Sequence, residues 1–254
     1  MEIMFLGTGT GVPRADRGSP GLLFTVCKTL ILVDCGAGTM RQLDRLGLSY
    51  NDLDFLLFTH FHPDHTADIV PYLFATRYWP RFTRQDTARI YGPKGLQALY
   101  GHLRNAWGKW VEPPENMVQL FELPVGETFE FRCGEAMVKT GPIPHTPESL
   151  GYRITEPGGA TVVVTGDTDY GPELASLAQG ADLLITECSF PNGMKRDGHL
   201  TPSLAGRAAR EAGVKALALT HIYPEAENHD LVAEAGLEFS GPVTVAHDLL
   251  RLVL

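Results

Sequence analysis

The sequence predicts an α/β (α+β) chain folded as a four-layer αββα sandwich, and three observations carry that expectation. The apolar runs are strand-sized, as in Leu30–Val33 and Val162–Val164. Each half of the chain opens with strands in hairpin order and continues with strand–helix units, so each half can build one sheet with helices on its outer face. No linker, low-complexity segment, charge block or repeat divides the 254 residues, so 1–254 read as a single domain.

Taken in order, Glu2–Leu6 is a strand ending in the glycine loop GTGTG. Gly21–Val26 and Thr29–Asp34 are two strands about a short polar connection, a hairpin. Met40, Leu43, Leu46 and Leu48 recur at near-helical spacing, with Gly47 as a C-terminal cap. Asp54–Thr59 is a buried strand running into a histidine cluster, and a helix follows from His65 towards Tyr78 with Pro71 as its interruption. Ile90–Tyr91 is a short strand, and Leu96, Leu99, Tyr100 and Leu103 mark a helix behind GPKG. Met117–Phe121, Thr128–Phe131, Ala136–Thr140, Gly151–Thr155 and Thr161–Thr165 are strands, the last two forming a hairpin about EPGG. Beyond them, strands Leu183–Thr186, Ala216–Thr220 and Val243–Ala246 alternate with helices Leu204–Ala212 and Leu231–Leu237.

Composition narrows the function classes. Lys+Arg number 21 against 30 Asp+Glu, a net charge of −9, which argues against indiscriminate binding of nucleic acid or anionic membrane. The expectation is a soluble cytoplasmic protein without a signal peptide or transmembrane span, because no apolar run is long enough. Cys27, Cys35, Cys133 and Cys188 have no CxxC spacing and read as buried, reduced thiols.

The chemistry concentrates in Thr59-His60-Phe61-His62-Pro63-Asp64-His65. Strand alternation sends His60 and His62 to one side, and the following turn brings Asp64 and His65 towards a neighbouring point. Three imidazoles and a carboxylate so close together suit zinc, manganese or iron(II). Further ligand types stand at later strand ends: His145 after a Gly-Pro-Ile-Pro turn, Asp167 in TGDT, and His221 after Ala216–Thr220. Taken singly, each reads equally as a cap or turn residue; with the first cluster they read as a metal centre.

LGTGTGVP, LVDCGAGTMRQL, FTHFHPDH, YGPKGL, TGDT, TECSF, GHLTP and LTHIYP together resemble the metallo-β-lactamase superfamily, and within it the ribonuclease Z-like branch, over nearly the whole chain. The resemblance implies one metal held by His60, His62 and His145, a second held by Asp64, His65 and His221, and Asp167 bridging both. It implies that Asp34 orients a ligating imidazole. It also implies that His199 of GHLTP assists the departing oxygen, held by Glu187 of TECSF. His102 and His229 read as helix-surface residues, and His247 has no assigned role. The cofactor expectation is two divalent ions, zinc foremost with manganese or iron as alternatives, about 3.5–4 Å apart and sharing an acidified water that attacks phosphorus. Asp64 and His199 are the expected proton carriers.

The best-known members of that branch process transfer-RNA 3′ ends and carry a long arm between the third metal histidine and the GDT motif. Here only the 21 residues 146–166 separate His145 from Asp167, too few for the arm. The favoured expectation is therefore a phosphodiesterase acting on small or cyclic phosphodiesters. Transfer-RNA processing is the alternative, and carboxylic ester, lactone or thioester hydrolysis a further one. His62 stands where a diiron oxygen-reducing relative would need a carboxylate, and an intact ligand set argues against a degenerate scaffold. In and just before the Trp79–Met117 segment, Trp79, Phe82, Trp107 and Trp110 alternate with Arg77, Arg81, Arg84, Arg104 and Lys109. Packing or a homodimer interface is favoured there over a base-stacking rim.

Overall fold

A computed structural model describes residues 1–78 and 87–254. The strands begin with β1 (Glu2–Gly7), β2 (Gly21–Val26), β3 (Thr29–Val33), β4 (Phe55–Leu57), β5 (Ala88–Pro93), β6 (Val118–Leu123) and β7 (Phe129–Cys133). They continue with β8 (Ala136–Pro142), β9 (Leu150–Thr155), β10 (Thr161–Val164), β11 (Leu183–Glu187), β12 (Ala216–Thr220), β13 (Val243–Val245) and β14 (Arg251–Val253). The helices are α1 (Thr39–Arg45), α2 (Pro63–Thr66), α3 (Ile69–Tyr78), α4 (Leu96–Trp107), α5 (Pro172–Ala178), α6 (Pro202–Ala212) and α7 (Leu231–Gly236).

The strands pair into two seven-stranded sheets with mirrored logic. One has the order β14-β1-β2-β3-β4-β5-β6 and the other β13-β12-β11-β10-β9-β8-β7. In the first, β1, β2 and β3 are antiparallel, and β4, β5 and β6 join in parallel. In the second, β7 to β10 are antiparallel, and β11, β12 and β13 join in parallel. Alternating side chains explain why most strands read as continuous apolar runs: both faces are buried. Phe5, Phe24, Ile31, Val33, Leu57, Tyr152, Val162, Val164 and Ile185 pack between the sheets. Leu6, Leu23, Leu32, Leu56 and Phe58 pack outward with Leu43, Leu73 and Leu96 from α1, α3 and α4. Val163, Leu184, Leu217 and Leu219 pack outward with Leu174, Ala205 and Leu231 from α5, α6 and α7. Three cores between four layers make the αββα sandwich.

Several expectations change. The helical stretch after the histidine cluster breaks between Thr66 and Ile69, four residues ahead of the expected Pro71, which lacks the N–H that would bond the Ala67 carbonyl and itself sits in the first turn of α3. At the break the backbone bonds to another loop: Asp68 N–H donates to the Cys35 carbonyl at 3.0 Å and the His65 carbonyl accepts Cys35 N–H at 2.8 Å, while the Asp68 carboxylate accepts Gly38 and Met40 N–H at 3.1 and 2.9 Å. Cys27 is exposed, because it turns the β2–β3 hairpin with φ of 55°; the other three cysteines are buried, and all four are free. His229 lies in the turn ahead of α7 rather than on a helix, bonded to Glu234 at 3.0 Å. Helix α5 and strand β14 are additions, and Gly47 does close α1 with φ of 72°. Among the described residues no helix is long and apolar enough to cross a membrane.

Candidate metal centre

Every sequence-predicted site residue except His199 stands just beyond, or at the end of, a strand. Asp34 follows β3; His60 and His62 lie on the loop after β4, and Asp64 and His65 on α2; His145 follows β8, Asp167 follows β10, and His221 follows β12. Glu187 is the last residue of β11, and His199 precedes α6. The carboxyl ends of parallel strands are where α/β sheets gather ligands. Two of these positions are strained, Asp34 with φ of 58° and His221 with φ of 56°. Gly166, at φ of 65°, turns the chain sharply between β10 and Asp167, and a Cβ there would lie 2.5 Å from Thr59 Oγ1.

The side chains converge as two groups sharing one carboxylate. His60, His62, His145 and Asp167 bring ligand atoms within 4.8 Å of one another, as do Asp64, His65 and His221. Asp167 divides its oxygens between them. Its Oδ2 is 3.8 Å from His60 Nε2 and 3.7 Å from His145 Nε2, while its Oδ1 is 3.1 Å from His65 Nε2 and 3.3 Å from His221 Nε2. His145 Nε2 also lies 3.2 Å from His62 Nδ1, and His221 Nε2 3.4 Å from Asp64 Oδ2.

These residues fit a pair of divalent cations. His60 Nε2, His65 Nε2 and Asp167 Oδ1 are buried without a hydrogen-bond partner, although each such orphan costs about 1–3 kcal/mol. Ligands held about 2.0–2.1 Å from a tetrahedral ion lie roughly 3.3 Å apart, the spacing seen here without hydrogen-bond alignment between His65 and Asp167.

The outer nitrogens of the imidazoles are held. Asp34 Oδ2 lies 2.8 Å from His65 Nδ1, so Nδ1 carries the hydrogen and Nε2 presents its lone pair to the centre. Asp34 also accepts Thr59 Oγ1–H at 2.9 Å, leaving Thr59 Oγ1 to accept from His60 Nδ1 at 3.0 Å. Glu187 Oε1 lies 2.9 Å from His199 Nδ1. Its Oε2 accepts Ser189 Oγ–H, and Ser189 Oγ in turn accepts from His221 Nδ1 at 2.9 Å. Thr59 and Ser189 were not singled out by sequence, though both sit inside the quoted motifs.

The electrostatics follow from burial and proximity. Burial pushes the His60 pKa down to about 2, with His65 adding to the shift against the opposing pull of Asp167. Burial works to raise Asp64, but its hydrogen bond to His221 and the charge of His65 hold it at about 2. Burial likewise opposes protonation of His199; the Glu187 hydrogen bond and charge, with Asp167, outweigh it and raise the pKa above 6.5. His199 also reaches within 4.8 Å of Asp167 and His221, so a proton on it faces the centre.

Of the aromatic and basic residues between Trp79 and Met117, Trp79, Arg81, Phe82 and Arg84 lie outside the described residues. Trp107 and Trp110 are exposed and, with Val70, Pro71, Phe74 and Val111, line an open apolar hollow of about 510 Å³ away from the histidines. Arg104 pairs with Glu112, and Lys109 stands 5.2 Å over Trp110. None of these described residues belongs to the metal centre.

Two sheets meeting at a shared His/Asp cluster define a protein of the metallo-β-lactamase fold. A family model described as the beta-lactamase superfamily domain matches residues 29–222, and the chain belongs to that superfamily. It is 33% identical over 246 residues to the uncharacterized protein ML1173 of Mycobacterium leprae, covering 96% of this chain and 85% of that one. It is 30% identical over 306 aligned positions to the ribonuclease Z of Myxococcus xanthus, covering 98% of this chain and 96% of that one. Among solved structures it is similar to the metallo-β-lactamase fold protein YhfI of Bacillus subtilis, with a TM-score of 0.87, 28% identity, and coverage of 99% of this chain and 98% of that one.

Proposed function

We propose that the chain is a dinuclear metal-dependent hydrolase that cleaves P–O bonds of small or cyclic phosphodiesters. The observation that carries this reading is His199, an imidazole outside the seven-ligand set that is held by the buried Glu187 2.9 Å away and turned towards Asp167. An alkoxide leaving group needs a proton, and a positioned imidazole supplies one. An ester or lactam-type reaction has less use for it.

His60, His62 and His145 would hold one divalent cation and Asp64, His65 and His221 the other, with Asp167 between them. Bound there, zinc, or manganese or iron in its place, would supply Lewis acidity towards the phosphoryl oxygens and a water acidified towards neutral pH. The chain's own residues do the rest. Asp34 and Thr59 keep the His60 and His65 lone pairs turned inward. Asp64, held ionised at about pKa 2, is available to accept the proton of the nucleophile. His199, kept protonated to higher pH by Glu187, delivers its proton to the departing oxygen.

Two further features support a small substrate. The 21 residues between His145 and Asp167 are consumed by β9, its hairpin and β10, and the net charge of −9 is poorly suited to an extended polyanion. The similarity to proteins named ribonuclease Z favours a second reading, transfer-RNA 3′ processing. The test is a parallel assay of zinc- and manganese-loaded protein on a transfer-RNA precursor with a 3′ trailer and on 2′,3′- and 3′,5′-cyclic nucleotides. Turnover of a cyclic nucleotide with an untouched precursor is the expected result. Trailer cleavage with inert cyclic nucleotides would establish the second reading, and silence in both arms would move carboxylic ester and lactone substrates to the front.

A further inference from the structure

The segment TGDTDYG carries two carboxylates, and the second is unused by the mechanism above. Asp169 is half-buried behind the centre, where three loops meet. Its backbone N–H donates to the carbonyl of Pro144, the residue before His145, at 2.6 Å. Its Oδ2 accepts the N–H of Gly198, the residue before His199, at 2.8 Å, and its Oδ1 accepts Tyr170 N–H at 2.7 Å. Lys195 Nζ lies 2.9 Å from both carboxylate oxygens and balances the charge. The circuit closes through Gly198, whose carbonyl lies 2.8 Å from His145 Nδ1. A carbonyl only accepts, so His145 must donate from Nδ1 and present its Nε2 lone pair to the centre, where Nε2 lies 3.7 Å from Asp167 Oδ2 and 3.2 Å from His62 Nδ1. Gly198 can turn both its N–H and its carbonyl to these tasks because its φ is +80°, and a Cβ there would crowd His145 Nδ1 at 3.2 Å.

We propose that Asp169 is a positioning residue that, through the Gly198 peptide, sets both the orientation of the metal ligand His145 and the placement of the proton donor His199. One carboxylate thereby couples the loop after β8 to the loop before α6. The inference rests on the reading of His145 as a ligand and His199 as the proton donor, and it adds the element that ties them together. Its signature is asymmetric. Asp169 reaches the His60–His62–His145 side of the centre through Pro144 and Gly198, which bracket His145, whereas His65 and His221 on the other side are held by Asp34 and, through Ser189, by Glu187. Losing it therefore loosens one of two metal equivalents.

The test uses full-length wild type, Asp169→Ala, Asp169→Asn and Asp182→Ala. Asp182 is the control: it has a similar partner set, Thr161 N–H at 2.7 Å and Lys215 Nζ at 2.7 Å, far from the centre. Zinc affinities are read by competition with a chromophoric chelator, alongside thermal unfolding midpoints and kcat and KM on a phosphodiester. Asp169→Ala should weaken one zinc equivalent by roughly ten- to a hundredfold and leave the other within twofold, since partners behind a ligand carry about that much affinity. Its kcat should fall more than its KM rises. Asp169→Asn keeps an oxygen for Gly198 N–H and should recover most of the lost affinity. Asp182→Ala should lower the unfolding midpoint without moving either zinc affinity. Two unchanged equivalents in Asp169→Ala, or equal weakening of both in step with the midpoint, would overturn the proposal. Wild type that binds no zinc would instead overturn the metal reading beneath it, an outcome legible before any variant is made.

Discussion

Replacing His199 with alanine should separate catalysis from metal binding, and the structure sets both sides of the comparison. Glu187 loses one partner but keeps Thr168 N–H at 2.7 Å, Leu200 N–H at 3.1 Å and the Ser189 hydroxyl, so the buried carboxylate is not orphaned. The imidazole side chain is 18% exposed, so the space it leaves opens to solvent rather than forming a sealed void. The stability cost is therefore about 1–2 kcal/mol, at the low end of what a hydrogen bond to a charged group contributes. In a chain of this length that moves the unfolding midpoint by only a few degrees. Loss of a positioned proton donor lowers turnover about 10²–10⁴-fold, or roughly 2.7–5.4 kcal/mol in the barrier. The catalytic effect wins. The assay compares kcat on two phosphodiesters with the same retained group, one with an alkyl leaving group and one with 4-nitrophenolate, together with zinc content. The alkyl substrate should suffer most of the loss, because nitrophenolate departs without a proton. An equal loss on both substrates, or a drop in bound zinc, would refute the assignment and make His199 structural.

Asp34→Ala strips acceptors from His65 Nδ1–H, Thr59 N–H and Thr59 Oγ1–H in a buried site, at about 1–3 kcal/mol for each group left unpaired; the unfolding midpoint should fall on the order of 10 °C and zinc stoichiometry should drop below that of wild type. Gly166→Ala combines a φ of +65° with a Cβ 2.7 Å from Thr59 Cβ, whereas Gly180→Ala has a φ of +64° and nothing within 4 Å; calorimetry should find the first more destabilised, and only the first impaired in zinc binding. The Asp182 pKa is lowered from 3.8 by its Lys215 hydrogen bond and Thr161 N–H. A depressed carboxylate contributes stability above its unfolded value and loses it as pH falls through the folded one. The midpoint difference between wild type and Asp182→Asn should thus hold at pH 5 and above and shrink as pH drops below about 3.8; a difference that grows on acidification would contradict this.

The candidate site was legible because its residues obey a local rule. FTHFHPDH, TGDT and LTHIYP each put a ligand type at the end of an apolar run, and apolar runs are readable from composition alone. Long-range pairing was not. Strand β14 is three residues, and its partner β1 lies some 250 residues away, so Arg251–Val253 carries no nearby signal. Helix α5 did carry one, Pro172 at its first position and Leu174, Leu177 and Ala178 on one face, but only seven residues of it. The break after Thr66 escaped notice for a different reason. It depends on His65 and Asp68 exchanging backbone hydrogen bonds with Cys35 some 30 residues earlier, a contact that exists only once the loop after β3 is in place. Asp169 is the same kind of case: its role is visible only when the loops bearing His145 and His199 are brought side by side.

The two sheets share more than their strand order. In the first, the carboxylate beyond β3 holds one imidazole directly, His65, and a second, His60, through the hydroxyl of Thr59. In the second, the carboxylate ending β11 holds His199 directly and His221 through the hydroxyl of Ser189. Each device does the same physical work. A carboxylate acceptor fixes which ring nitrogen carries hydrogen, and the intervening hydroxyl passes that constraint to a second ring it cannot reach. The difference lies in what the held imidazoles face. Both rings on Asp34 turn bare nitrogens into the buried cluster, where His60 Nε2 and His65 Nε2 have no partner. Of the two rings on Glu187, His221 turns its Nε2 into the cluster 3.4 Å from Asp64 Oδ2, while His199 remains partly open to solvent. A repeated scaffold thus turns three imidazoles into the buried cluster and leaves one open to solvent, and on the proposed reading that departure from symmetry at His199 is where proton transfer would enter.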